Sequence, residues 1–209
     1  MKKLILAAMV LIALSGCCNQ NGEGACTATE AGAQKNAAVE NMMNRRSIRS
    51  YKPEQITPEQ LDTIIQCAIN APSARNLQPW EVRVVQNPEL IARINNRFKE
   101  ISKNTKEEFS VFHGSPMVIF VGKDKENGSS PSDCGMLAQN ILLSAESMGI
   151  GTCVIGSAYM VFQGEGSKEY MDAINMPETH EVMYGISIGY KNESPDAKER
   201  DINKVQYIK

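Results

Sequence analysis

Beyond about residue 37 the apolar positions fall into two periods, one of three to four residues and one confined to short runs, and together they outline the elements of a mixed domain. Val39, Met42 and Met43 form a brief stripe that predicts a first helix over about 39–46. Thr57-Pro58-Glu59-Gln60 places a capping hydroxyl before a proline at the first helical position and an acid near the positive helix end. A helix should therefore run to about Asn70, with Leu61, Ile64, Ile65 and Ala68 on its buried face, until Ala71-Pro72-Ser73 stops it. Trp80–Val85 favours a strand, and Asn87-Pro88-Glu89 opens a helix whose apolar positions are Leu90, Ile91, Ile94 and Phe98. Pro116–Val121 is an unbroken apolar run, short enough for a strand covered on both faces and so central in its sheet. A helix over about Asp133–Met148, a strand near Thr152–Ile155 and a last strand at about Glu181–Tyr190 complete the order. The charged tail ends in Val205-Gln206-Tyr207-Ile208, which could add an edge strand. Helices flanking a small sheet make this an α+β domain.

The first 36 residues follow different rules. Two lysines, an apolar run from Leu4 to Leu14 and then small residues have the order of a secretory signal, too short to span a membrane. Leu14-Ser15-Gly16-Cys17 looks like a lipoprotein box, in which the cysteine is acylated and becomes the new N-terminus. Residues 1–16 are thus expected to be a removed lipoprotein signal peptide, with Cys17 carrying the lipid. Residues 17–36, rich in Gly, Ala, Asn, Gln, Glu and Thr without apolar periodicity, are expected to be a tether. The expected location is the periplasmic side of a membrane or the outer membrane, with residues 37–209 as the globular domain.

Composition narrows the function. The chain of 209 residues is 42% hydrophobic, enough for one core. Removing Lys2 and Lys3 from 22 basic residues leaves 20 against 24 acidic ones, a net charge of −4 that offers no general attraction to nucleic acid. The six cysteines at 17, 18, 26, 67, 134 and 153 show neither a CxxC nor a disulfide framework spacing, and His113 and His180 stand alone, so no metal site is expected. Gly149-Ile150-Gly151 lacks the third glycine of a dinucleotide fingerprint, and neither a P-loop nor a GxSxG elbow occurs.

Three segments carry positive signals. In Arg45-Arg46-Ser47-Ile48-Arg49, extended backbone would project Arg45, Ser47 and Arg49 to one side, a set able to neutralise a phosphate through forked guanidinium bonds and a hydroxyl. Ala71-Pro72-Ser73-Ala74-Arg75-Asn76-Leu77-Gln78-Pro79-Trp80 combines prolines that fix the backbone with amides that can read a planar heterocycle. Lys198-Glu199-Arg200 adds two cations in the tail.

In this order and at these separations the segments resemble the nitroreductase family over about residues 40–209. Ala138-Gln139-Asn140 and Met148 to Gly156 are similar to the family's long core helix and following strand. The resemblance implies a central, mainly antiparallel sheet, an intertwined homodimer and FMN at the dimer interface. Arg45, Ser47, Lys198 and Arg200 would hold its phosphate, and Arg46 would line the ribityl chain. Arg49 would approach the N1 side of the ring. Pro72, Ser73, Asn76 and Gln78 would come from the partner subunit, while Val154, Ile155 and Gly156 would pass beside the ring. The implied activity is ping-pong transfer of hydride or electrons from a reductant such as NAD(P)H to a small acceptor such as a nitroaromatic or quinone, with no catalytic side chain required. Other family chemistries are reductive dehalogenation and flavin fragmentation, set by the stretch near Phe98–His113. A surface lipoprotein that binds a ligand without turnover is the non-enzymatic alternative. The chain has Gly156-Ser157 where some family members carry glutamate-glycine, a departure at the expected nicotinamide contact.

Overall fold

The computed structural model describes residues 36–209. The leader, Cys17, Cys18, Cys26 and the tether as far as Lys35 lie outside the described residues.

Helix α1 (Ala37–Asn44) starts where the Asn36 side chain accepts the N–H groups of Ala38 and Val39, at 3.0 and 3.3 Å. Its stripe does not enter the core: Val39, Met42 and Met43 are 50, 51 and 71% exposed. Helix α2 (Pro58–Ile69) opens on the expected cap, now seen to be reciprocal. Thr57 Oγ1 accepts the Gln60 N–H at 3.3 Å, and Gln60 Oε1 accepts the Thr57 N–H at 3.0 Å. Strand β1 (Trp80–Val85) leads to helix α3 (Pro88–Ile101), capped by Asn87. Then follow β2 (Met117–Asp124), α4 (Ser130–Ser147), β3 (Ile150–Ile155), a 3-10 segment over Gly156–Phe162, the short helix α5 (Lys168–Ala173) and β4 (His180–Tyr190).

The four strands form one antiparallel sheet in the order β1-β2-β4-β3. The unbroken apolar run of β2 is explained by its cover. Met117, Ile119 and Val121 face α2 and α4, packing among Ile64, Ala68, Leu137 and Ile141. Val118 and Phe120 face the other way, among Phe98 of α3 and Val161 and Phe162 of the 3-10 segment. Side chains alternate across a strand, and with both faces dry each must be apolar.

Several boundaries moved. Helix α4 begins three residues before Asp133, because Pro131 in the first turn removes only a donor the helix would leave unpaired. Strand β2 runs on to Asp124 past a register shift at Val121/Gly122. The 3-10 segment and α5 were not foreseen. Residues 205–208 join no strand, and Val205, Tyr207 and Ile208 are exposed. The outer edge of β3 is already engaged: Ser47 bridges Thr152 in parallel, with the Ile48 N–H bonded to the Thr152 carbonyl at 2.9 Å.

Candidate functional site

That bridge begins the site, since it lays the arginine segment along the sheet. Ile48 is the anchor, 1% exposed and seated against Gly151, where any Cβ would lie 2.9–3.0 Å from the Ile48 side chain. With Ile48 turned inward, its neighbours Ser47 and Arg49 turn out. A second clamp lies three to four residues beyond Ile48. Lys52 N–H bonds the Tyr190 carbonyl at 3.0 Å, and the Tyr51 hydroxyl donates to the carbonyls of Ile48 at 2.6 Å and Ser187 at 3.3 Å. Burial pushes the Tyr51 phenol well above its ordinary range, so the donor proton is kept. Tyr51→Phe should lower stability by about 1–3 kcal/mol, since it strips a buried carbonyl of its donor. Urea denaturation checks this; an unchanged midpoint would mean the clamp does not hold the segment.

The two basic stretches converge. Arg45, Arg46, Ser47 and Arg49 line one cleft of about 130 Å³ together with Pro195, Asp196, Lys198 and Arg200. A bond from the Arg49 backbone N–H to the Glu193 carboxylate, spanning 144 residues of chain, ties the tail to the arginine segment. Among the described residues none of the five cations has a carboxylate oxygen within 4.0 Å. Their guanidinium contacts are to main-chain carbonyls instead: Arg46 Nη1 to Met43 and Arg45 at 2.7 and 2.9 Å, Arg49 Nη1 to Ser47 at 3.3 Å, and Arg200 Nη1 to Lys198 at 3.0 Å. Carbonyls orient these groups without cancelling their charge. The lining thus carries five positive side chains against Asp196, an arrangement suited to a dianionic ligand such as a phosphate monoester.

Arg49 also lines a second cleft of about 280 Å³, so the two clefts adjoin at one side chain. Its other lining residues come from two segments, Phe98 with Phe109, Ser110, Val111 and His113, and Cys153 with Val154, Ile155, Gly156 and Ser157. Phe98 and Phe109 stack with centroids 6.0 Å apart and planes 17° from parallel. Burial pushes the Cys153 thiol up, an effect that Arg49 and Arg45 oppose, so it is an uncharged lining group and no nucleophile. Cys67, Cys134 and Cys153 are all free.

The proline–amide loop is built with care but lies elsewhere. Asp133, buried in the first turn of α4, accepts the Ala74 N–H at 3.1 Å; Ser73 Oγ accepts the Gln78 N–H at 3.0 Å; and Gln78 Nε2 bonds Asn76 Oδ1 at 3.2 Å. Arg75, Asn76 and Gln78 hold positive φ of 53°, 56° and 49°, a conformation disfavoured for side-chain-bearing residues and kept where surroundings impose it. Pro72, Ser73, Asn76 and Gln78 line neither cleft of their own chain. Glu193, Pro195, Asp196 and Cys153 had not been singled out as site residues, whereas His113 closes the Phe98–His113 stretch and Ser157 belongs to the Gly156-Ser157 pair already marked in the sequence. Gly151 carried a further readable hint, a strand glycine marking close approach of another backbone segment.

Comparison with known proteins gives a consistent result. The Nitroreductase family profile matches residues 42–190. An Archaeoglobus fulgidus protein provisionally named NADH dehydrogenase/NAD(P)H nitroreductase is 30% identical over 162 residues, 75% of this chain and 87% of that protein. The NADPH-flavin oxidoreductase of Vibrio harveyi is 26% identical over 180 residues, covering 79% of this chain and 70% of its own. Among solved structures, a nitroreductase with bound FMN from Desulfitobacterium hafniense superposes with a TM-score of 0.78 at 28% identity, over 84% of this chain and all of that one.

Proposed function

The chain belongs to the nitroreductase family, and from that premise we propose that it is an FMN-dependent oxidoreductase passing electrons from a reductant such as NAD(P)H to a small acceptor such as a nitroaromatic or quinone. One observation carries the reading: cations from both ends of the domain meet in a single cleft, and Arg49 also lines an adjoining cleft whose apolar side chains are Phe98, Phe109, Val111, Val154 and Ile155. A phosphate on a planar ring fits that pair, because the unneutralised cations match the first part and the apolar walls the second. Bound FMN supplies the two-electron redox chemistry. Arg45, Ser47, Lys198 and Arg200 hold its phosphate and Arg46 borders the ribityl chain. Arg49 keeps a positive field where negative charge accumulates on the ring, and Val154, Ile155 and Gly156 form a wall beside it.

The working form is a homodimer. The exposed apolar residues of α1 and of the tail support this, as does the position of the 72–78 loop, whose Pro72, Ser73, Asn76 and Gln78 are free to serve a partner's cleft. The purified domain should elute as a dimer, be yellow with one FMN per protomer, and bleach on addition of NADH or NADPH. A colourless monomer that FMN does not reconstitute would end the reading.

Outside the domain, residues 1–16 act as a lipoprotein signal, residues 17–36 as a tether and Cys17 as the acylated anchor on the periplasmic side of a membrane or the outer membrane. The Leu14-Ser15-Gly16-Cys17 box supports this. Cys17→Ser should move the protein from the membrane pellet to the soluble fraction on ultracentrifugation. If the variant still pellets, the anchor is not a lipid on that sulfur.

A further inference from the structure

Given the reading of the second cleft as the ring site, on which this rests, we infer that His113 selects the electron acceptor by donating an imidazole hydrogen bond to an acceptor oxygen. Four observations converge on the residue. It lines the cleft shared by Arg49 and Val154–Gly156. Among the described residues its ring nitrogens bond to no protein group, whereas the Nδ1 of His180, the other histidine, pairs with Thr179 Oγ1 at 3.0 Å. Its backbone is held rigidly. The His113 N–H bonds the Ser110 carbonyl at 3.1 Å, and the Gly114 N–H bonds Ser110 Oγ at 3.1 Å. Phe112 beside it is fully buried, edge-on to Phe120 at 5.8 Å, with its carbonyl taken by Ser187 Oγ at 3.1 Å. The backbone of His113 itself sits at φ 57°, and that anchored turn keeps the imidazole at the rim of the cleft.

The chemistry of the ring follows from its surroundings. Burial, and then the Arg49 charge, hold the imidazole below its ordinary pKa, so near neutral pH it is uncharged and offers one N–H donor. Phe109, stacked on the buried Phe98, lines the same cleft and gives a guest an apolar aromatic contact. The site therefore prefers a planar aromatic whose edge carries an uncharged oxygen acceptor over a hydrocarbon of the same shape, because a polar group facing the latter goes unpaired.

Nitrobenzene and toluene are matched probes for calorimetric titration of the oxidised, FMN-loaded full chain. His113→Leu should weaken nitrobenzene binding about fivefold or more, the worth of one hydrogen bond, and leave toluene binding unchanged. His113→Gln, which keeps an N–H donor at similar reach, should recover most of the loss. Equal nitrobenzene affinity in His113→Leu, a parallel loss for toluene, or loss of FMN from that variant would each overturn the inference. The first two leave the flavin reading standing, since the variant still holds FMN. Wild-type protein that holds no FMN would instead bring down the reading beneath it.

Discussion

Arg45→Ala combined with Arg200→Ala is expected to raise the FMN dissociation constant between roughly a hundredfold and ten-thousandfold, since each charge-assisted contact to a phosphate contributes about 1.5–3 kcal/mol. The two residues come from opposite ends of the domain yet line one cleft, and neither has a carboxylate partner in the described chain that would blunt the loss. Both lie outside the packed core, so the thermal midpoint of the flavin-free protein should move little. Fluorescence titration of the double variant and of each single variant reads the effect. Contacts to one phosphate should couple, so the double loss should differ from the sum of the single ones. An affinity equal to that of the unaltered chain would show that the phosphate sits elsewhere.

Gly151→Ala should damage both stability and the charged cluster that it does not itself belong to. Its methyl group would lie within 3.0 Å of Ile48, a residue with no space to retreat because it is buried and flanked by the Ser47 bridge. Overpacking of this kind costs typically about 1–3 kcal/mol. The displacement would pass directly to Ser47 and Arg49, so FMN affinity should fall along with stability. Adding Ile48→Ala makes room for the methyl group and should restore part of the binding while stability stays low. Urea midpoints paired with FMN titrations separate the two effects. If Gly151→Ala binds FMN normally, the arginine segment is positioned by something other than this contact.

How far the residues spoke for themselves depended on the range of the interaction. The Thr57/Gln60 cap, the Asn87 cap and the strand at Trp80–Val85 are read within a few positions, and their forms follow from local chemistry. The central place of β2 was legible because a strand covered on both faces must be apolar throughout. By contrast, Gly156–Phe162 and α5 are seven and six residues long, too short to repeat an apolar period, so no pattern announces them. The α1 stripe predicted a helix but not its exposure, since a sequence marks which face is apolar without saying what covers it. For the tail, the Val205–Ile208 strand propensity finds no strand to pair with among the described residues, and the outer edge of β3 is bridged by Ser47 instead.

By itself, then, the sequence determined an α+β domain, its helices α1 to α4 and its four strands, and three segments with the chemistry to hold an anionic planar group. Only the tertiary structure decided that Arg45, Arg46, Ser47 and Arg49 share a cleft with Lys198 and Arg200, that Arg49 also lines the cleft bordered by His113 and Val154–Gly156, and that the 72–78 loop lines neither within its own chain. Capping and periodicity act over a turn or a strand, whereas bringing Arg49 to Glu193 across 144 residues requires the whole sheet to be assembled first.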